Sequence, residues 1–327
     1  MTRLFVFMLV FAGVAQPVTA AEIVPPVHPG EAKVIQQIIA LEKYQPEVSP
    51  THGYVLGGMK RTLTDLGIDT KAVKSWQIEV KNDPRPSRGG FFACIYDENG
   101  RILALSGNGP WLRNETLREL KALPELRSIR WDHNGFVGRH PEVDLYDGTG
   151  FDALADSKVQ DIKIGLGFND KGMEQVARIK GLKQFSVAHS RTTAAGIKFF
   201  EGHPNLESFS VGEMGTLNEA ALASVAKMPK VTQVGFHEAF ITYDGGFKHL
   251  LAMKDRLKEL NLSMSVVNDA DLKRVQADHP GAKITTIPPA EIVKRHSGVA
   301  NRLAGIATGE AAEALKKAIA EYQANKK

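Results

Sequence analysis

The sequence predicts an α/β solenoid, in which copies of one strand–helix unit stack side by side. Two repeating apolar patterns and the short distance between their copies support this prediction. The first pattern places apolar residues at positions 1, 4 and 6 of a short segment, as in Leu182-x-x-Phe185-x-Val187. Such segments begin at Leu126, Val159, Leu182, Leu206, Val231 and Leu257. From Val159 onward the starts are 23 to 26 residues apart, a steadier spacing than an ordinary doubly wound α/β domain would keep.

The second pattern keeps phase with the first and predicts a short helix before each strand. Its apolar residues recur in three-residue steps, as in Met173-x-x-Val176-x-x-Ile179. A proline such as Pro204 often falls just before the strand, where it can end a helix. Because one strand and one short helix cannot bury their own apolar sides, we expect stacked copies with a common core. The expected coil is right-handed, with a parallel strand ladder on the concave face and helices on the convex face.

The residues before the repeats are predicted to form an N-terminal cap. Residues 34–41 have a helical apolar pattern, and residues 76–80 alternate like a strand. Residues 91–96 and 101–105, separated by Asp97-Glu98-Asn99-Gly100, predict a β-hairpin. Its second strand contains Ile102, which begins an incomplete first unit. Such a segment would cover the open edge of the first repeat.

The residues after the repeats are predicted to form a C-terminal cap. Ala282 begins a degenerate last unit, and Pro288-Pro289 then stops the ladder. Gly309 to Gln323 predicts a helix with Ala312, Leu315, Ile319 and Tyr322 on one side. Its apolar side would either cover the last repeat or dock a partner.

The first twenty residues are typical of an export signal. Arg3 supplies a positive charge, and residues 4–14 form an apolar stretch too short to span a bilayer. Val18-Thr19-Ala20 is a small-residue cleavage site. We therefore expect a secreted or periplasmic protein, cleaved near Ala20, with no stable membrane insertion. The predicted organisation is a signal peptide at 1–20, an N-terminal capping region at 21–100, a repeat solenoid at 101–287 and a C-terminal helical cap at 288–327.

Composition and motifs argue against several classes of function. The formal net charge is +4 with the two signs mixed along the chain, which does not describe a nucleic-acid-binding surface. Cys94 is the only cysteine, so an intrachain disulfide is impossible, and we expect it to be a small buried side chain. The sequence has no GxSxG, HExxH, P-loop or Rossmann motif, so we expect neither an enzyme nor a cofactor.

The repeat resembles that of bacterial exported leucine-rich-repeat proteins of the planctomycete type, with units of about 24 residues. Asp170-Lys171-Gly172-Met173 opens a helix, and Leu123-Pro124-Glu125-Leu126 closes one, as in that family. The resemblance covers residues 101–287 and implies a non-enzymatic module that binds other proteins. One position departs from the family, whose ninth residue in each unit is usually Asn or Cys. Here the ninth residues are Asn134, Gly167, Ser190, Met214, Ala239 and Ser265.

The outward-facing strand residues form the predicted binding surface, because the inner curve is the usual contact surface of such solenoids. In the central units the outward-facing strand residues are small serines and glycines, which keep the surface shallow, whereas those of the first unit are charged. This surface suits a protein or peptide ligand, and a glycan is the alternative ligand. The candidate binding residues are Arg130, Asp132, His133, Lys163, Gln184, Ser186, His189, Ser208, Ser210, Glu213, Gln233, His237, Glu238, Glu259 and Asn261.

Three other interpretations of this surface remain open. His189, Glu213 and Glu238 share one position in three consecutive units, with His237 beside them, so they could converge as zinc ligands or as an acid–base group. That arrangement would suit a metal-dependent hydrolase, although we predict no metal site. The protein could instead be a structural component of the cell envelope, or the surface could be a solvated face without a ligand.

Overall fold

The computed structural model describes residues 24–42, 45–47, 53–81, 90–108, 112–132, 146–212 and 217–325. The predicted signal peptide at 1–20 lies outside these residues. In the described part of the chain one sheet contains eleven strands in sequence order. They are β1 (Gln45–Glu47), β2 (Lys74–Lys81), β3 (Gly90–Tyr96), β4 (Ile102–Asn108), β5 (Ser128–Asp132), β6 (Asp161–Ile164), β7 (Gln184–Val187), β8 (Ser208–Gly212), β9 (Gln233–His237), β10 (Glu259–Asn261) and β11 (Lys283–Thr285).

Helices follow or precede these strands along the chain. The α-helices are α1 (Pro29–Leu41), α2 (Gly53–Asp65), α3 (Asn114–Glu119), α4 (Asp170–Val176), α5 (Ala194–Lys198), α6 (Glu219–Ala226), α7 (Asp269–Asp278), α8 (Pro289–Arg295), α9 (Ser297–Ile306) and α10 (Gly309–Ala324). Short 3-10 helices span Leu120–Ala122, Thr149–Leu154 and Phe247–Met253. No helix among the described residues is long and apolar enough to cross a membrane.

The strand register shows how the repeats stack. Strands β1 to β4 pair antiparallel, and β4 to β11 pair parallel. The residues at position 4 of each unit form one row, which runs Leu105, Ile129, Ile162, Phe185, Phe209, Val234, Leu260 and Ile284. From Leu105 to Leu260 these side chains are at most 2% exposed. The predicted fold class, a leucine-rich-repeat solenoid, is confirmed.

The register also corrects the last unit. Ile284 lies opposite Leu260, the fourth residue of its unit. The last unit therefore begins at Gly281, one residue before the predicted Ala282. The sequence pattern was misleading because only Ile284 in this strand packs against the core, and it does so while partly exposed.

Aromatic side chains fill the core between the sheet and the helices of the central units. Phe185 stacks on Phe200 with ring centroids 4.9 Å apart, and Phe200 meets Phe209 edge to face at 5.5 Å. Phe168 lies 6.1 Å from Phe185 on the other side. All four rings are at most 1% exposed, so the central repeats share one continuous core.

Polar residues precede the helices of the central units and cap their first turns. The side chains of Asn169, Thr193 and Asn218 accept backbone N–H groups in the first turns of α4, α5 and α6. At the ninth position, Ser265 donates to the carbonyl of Phe236 and accepts the N–H of Ala239, and so joins two units. Backbone groups at the turns are thus satisfied from varied positions.

The N-terminal segment extends both layers of the solenoid. The hairpin predicted at 91–96 and 101–105 is confirmed as β3 and β4, and the buried carboxylate of Glu31 joins α1 to it. Glu31 accepts the N–H of Ile102 at 2.6 Å and the guanidinium of Arg101 at 3.0 Å. Cys94 is fully buried in the core, as predicted, and burial raises the pKa of its thiol.

Helix α2 covers the opposite face of the sheet at this end. Leu56, Met59 and Leu63 pack with apolar residues of β3 and β4 such as Phe91 and Ala93. The sequence patterns did not predict this helix, which has Gly57 and Gly58 in its interior. As a result, the sheet is covered on both faces near β3 and β4.

Helices α8 to α10 form a second, smaller core at the other end. Ile292 of α8, Leu303 of α9 and Leu315 of α10 are at most 1% exposed and pack together. They also contact Met264 and Val266, which follow β10. The predicted helix at 309–323 is confirmed as α10, with its apolar side turned to this core, whereas α8 and α9 were not predicted.

Candidate binding site

The side of β5 to β10 that faces away from the helices carries polar residues, and we call it the polar face. On β7, β8 and β9 burial alternates, so the residues at positions 3 and 5 point away from the core, whereas on β5 and β6 the position-3 residues Ser128 and Asp161 are themselves buried. Strand pairing aligns the residues at position 5 across neighbouring strands about 4.8 Å apart. These residues are Arg130, Lys163, Ser186, Ser210, Gly235 and Asn261.

Arg130 is held within the sheet by Asp161 of the next strand. Its Nε donates to Oδ2 at 2.9 Å and its terminal nitrogen donates to Oδ1 at 3.1 Å. Asp161 also accepts the hydroxyl of Ser128 at 2.6 Å, and its side chain is 4% exposed. The predicted binding residue Arg130 therefore has a structural partner, and the pair holds its guanidinium in a fixed position at the edge of the polar face.

Two glycines make the polar face shallow, because neighbouring atoms leave no space for a side chain at either position. A Cβ added to Gly235 would lie 2.6 Å from Oγ of Ser210. A Cβ added to Gly212 would lie 3.0 Å from Cβ of His237 and 3.2 Å from Cβ of Ala188. A ligand can therefore approach the sheet closely at β8 and β9.

The C-terminal helices turn part of the polar face into a cavity of about 1020 Å³. The cavity lies at the carboxyl ends of β6 to β9 and is closed on one side by α8 and α9. Its lining comprises Lys163, Leu166, Ser186, Val187, Ala188, His189, Ser190, Ser210, Gly212, His237, Glu238, Met264, Arg295, His296, Gly298 and Arg302.

Among the described lining residues, the cavity combines several cations with one carboxylate. A terminal nitrogen of Arg302 donates to Glu238, whose side chain is 6% exposed. Nδ1 of His237 lies 3.6 Å from the same carboxylate. Burial raises the pKa of Glu238, and the Arg302 guanidinium partly offsets this effect. Arg295 donates to Glu291 of its own helix at 2.7 Å.

Two residues of the lining have an unusual backbone conformation. His189 has φ 51° and Glu238 has φ 56°, both in the left-handed region. They occupy equivalent positions in two units, where the chain leaves β7 and β9. For an L-residue other than glycine this conformation costs about 1–2 kcal/mol, and such strain is concentrated at functional sites.

The structure brings together part of the predicted set. Lys163, Ser186, His189, Ser210, His237 and Glu238 all line the cavity. Other predicted residues lie on strands outside it, namely Arg130, Gln184, Ser208, Gln233, Glu259 and Asn261. Asp132 is the last residue of β5, and His133 and Glu213 lie outside the described residues.

Sequence reasoning missed the residues that α8 and α9 contribute, above all Arg295, His296 and Arg302. The basic run Lys294-Arg295-His296 was visible in the sequence. It lies after the last repeat, however, so the repeat phase gave no means of placing it against the polar face.

The zinc hypothesis gains nothing from the geometry. Among the described residues, no group of three His, Cys, Asp or Glu side chains could hold a metal ion. Glu213, a proposed ligand, lies outside that part of the chain, and Glu238 contacts Arg302 instead.

Comparison with known proteins gave matches among solved structures. No protein-family model matches the sequence, and no curated protein matches it. Among solved structures, the chain is similar to internalin C2 from Listeria monocytogenes, with 12% sequence identity and a TM-score of 0.36. That similarity covers 56% of this chain and 70% of the internalin chain.

Proposed function

We propose that the protein is a non-enzymatic binding module that recognises a protein or peptide partner through its polar face. The observation that supports this most directly is the cavity of about 1020 Å³ between that face and helices α8 and α9. Pockets for small ligands usually measure about 300–1,000 Å³, so this one has room for several residues of a peptide.

The rest of the polar face fits the same function. Ser186 and Ser210 offer hydroxyls that both donate and accept hydrogen bonds, as a peptide backbone requires. Gly235 leaves its own position on β9 without a side chain, and Arg130 holds a guanidinium in a fixed position at one edge. A rigid, preformed surface of this kind lowers the entropic cost of binding.

A peptide selection tests the proposal. A random twelve-residue peptide library displayed on phage would be selected on the purified protein, and the enriched peptides would be synthesised. A variant with S186W and S210W fills the face, whereas A195W and A220W add the same bulk to exposed positions of α5 and α6. We expect enriched peptides to bind the wild type and the control equally, and to bind the filled variant at least about tenfold more weakly.

Two results would contradict this function. One is the failure of any peptide to enrich on the folded wild type. The other is equal binding of the enriched peptides to both tryptophan variants. Glycan binding that is lost only in the filled variant would move the proposal from peptides to glycans.

We also propose that the protein is exported and that residues 21–100 and 288–327 cap a solenoid at 101–287. The contact of Glu31 with Ile102 and the packing of α10 on α8 and α9 support the two caps. Mass spectrometry of the protein from native periplasmic and culture fractions should find an N-terminus at Ala21. An intact Met1 in those fractions would contradict cleavage near Ala20.

A further inference from the structure

Basic residues outnumber acidic ones in the described lining of the cavity, although Arg302 is paired with Glu238 and Arg295 with Glu291 of its own helix. Lys163, Arg295 and Arg302 are basic, and Glu238 is the acidic residue among the described lining. Three histidines, at 189, 237 and 296, add further positive charge when protonated. A concave site lined by one sign of charge attracts ligands of the other sign.

These cations come from distant parts of the chain. Lys163 lies on β6, whereas Arg295 ends α8 and Arg302 lies in α9. The chain between them contains five more strands, β7 to β11, so the fold has brought them together. The convergence is a property of the tertiary structure rather than of one basic segment.

We infer that this cavity binds a carboxylate of an acidic peptide segment, which identifies the chemistry of the partner and rests on the function proposed above. The ligand carboxylate is an aspartate or glutamate side chain or a chain terminus. Arginine suits this role because its planar guanidinium matches the two oxygens of a carboxylate.

Glu238 acts as a positioning residue in this arrangement. Its carboxylate contacts Arg302, whose side chain is 60% exposed and would otherwise sample many rotamers. Glu238 has a left-handed backbone conformation, and its contact with Arg302 helps to offset the energetic cost of that conformation. The arginine is thus presented at the cavity wall with its direction fixed.

The remainder of the lining favours a peptide over other anionic ligands. Ser186 and Ser210 can hydrogen-bond a backbone, while Leu166 and Met264 provide apolar contact. Among the described lining residues there is no Phe, Tyr or Trp, the side chains with the largest surface for stacking a sugar ring or a base.

A charge-reversal pair tests the inference on the full-length protein. K163E and R295E remove two cations from the cavity. The matched control, K180E and K273E, changes the net charge equally at exposed positions outside the lining. The Arg295–Glu291 pair is exposed and spaced i,i+4, so its loss should leave the fold intact.

The probes are fluorescent peptides from the library selection and their amide versions, with Asp changed to Asn and Glu to Gln. We expect the enriched peptides to share an acidic position. The amide change and the K163E/R295E pair should each weaken binding by about 10- to 100-fold, because a hydrogen bond to a charged group contributes about 1.5–3 kcal/mol. The control pair should bind like the wild type.

The outcomes separate this inference from the proposed function. The carboxylate site would be overturned, and peptide binding left intact, by either of two results. One is that the enriched peptides share no acidic position, and the other is that they bind K163E/R295E as tightly as the wild type. Failure to enrich any peptide would overturn both. Cavity-dependent binding of an oligogalacturonate probe, with no acidic peptide enriched, would overturn the assignment to a peptide.

Discussion

Replacing Glu42 by glutamine should remove a pH dependence from the free energy of unfolding. Glu42 follows α1 and is 2% exposed. Its Oε1 accepts the N–H of Arg113 at 2.7 Å and the hydroxyl of Thr116, and so ties α1 to the start of α3. Burial outweighs these hydrogen bonds and the nearby guanidinium, and raises the pKa of Glu42 from 4.5 to about 7.

The sign and size of the effect follow from proton linkage. Because its pKa is higher in the folded state, the folded protein holds this proton more tightly than the unfolded chain does. The resulting stability is fully present below pH 4.5 and is lost as the pH rises through about 7. At about 1.36 kcal/mol per pKa unit, the loss amounts to about 3 kcal/mol.

Urea denaturation of wild type and E42Q between pH 4.5 and 8 measures this loss. Glutamine keeps an oxygen that can accept the same hydrogen bonds but does not titrate. The stability of the wild type relative to E42Q should therefore fall by about 3 kcal/mol across the range. The exposed control E313Q should show no such trend. A difference between wild type and E42Q that stays constant with pH would refute the reasoning.

Three further substitutions test the packing of the repeats. Both ring nitrogens of His203 are hydrogen-bonded to backbone groups, so H203A should lower the unfolding free energy by about 2–3 kcal/mol in urea denaturation. Because burial lowers the pKa of His203, the wild type should also lose stability as the pH falls below 6.5, and H203A should lose less. A Cβ at Gly107 would lie 2.5 Å from Nε1 of Trp131, so G107V should cost about 1–3 kcal/mol and shift tryptophan fluorescence; unchanged emission would contradict this contact. Phe209 is fully buried, and F209A should cost about 3–5 kcal/mol in the same assay, whereas a cost below about 1 kcal/mol would mean that the core is not continuous there.

The repeats could be predicted from the sequence because one physical constraint fixes them. Each unit must bury positions 1, 4 and 6 against the next, so Ile129, Phe185 and Phe209 fall in one row wherever the period is kept. The β3–β4 hairpin was predictable for a similar local reason, since Asp97 and Gly100 form its tight turn. In both cases nearby residues are sufficient to determine the structure.

The additions at the two ends could not be predicted in the same way. Helix α2 lies on the face of the sheet opposite the main core, and its interior glycines weaken the helical pattern. Helices α8 and α9 pack on residues that follow β10. These contacts join segments far apart in the sequence, and no period relates one partner to the other.

The residues of the candidate site also divide into those that the sequence could predict and those that it could not. Ser186, Ser210 and His237 were predictable because the repeat phase shows which side chains point away from the core. Arg295 and Arg302 were not, although they supply most of the positive charge in the described lining. The sequence thus indicated where a ligand would lie but not the sign of the charge that would attract it.

The two ends together limit the length of chain that the polar face can hold. Helix α2 covers the sheet at β3 and β4, and α8 and α9 close the far side of the cavity beyond β9. From β5 to β9 the strands span four intervals of about 4.8 Å, or roughly 19 Å. At about 3.3 Å per residue, an extended peptide that crosses these strands has room for about six residues. If the proposed peptide binding and carboxylate site hold, a longer partner must bend away from the sheet at either end, and specificity then comes from a short segment with its acidic residue at the cavity.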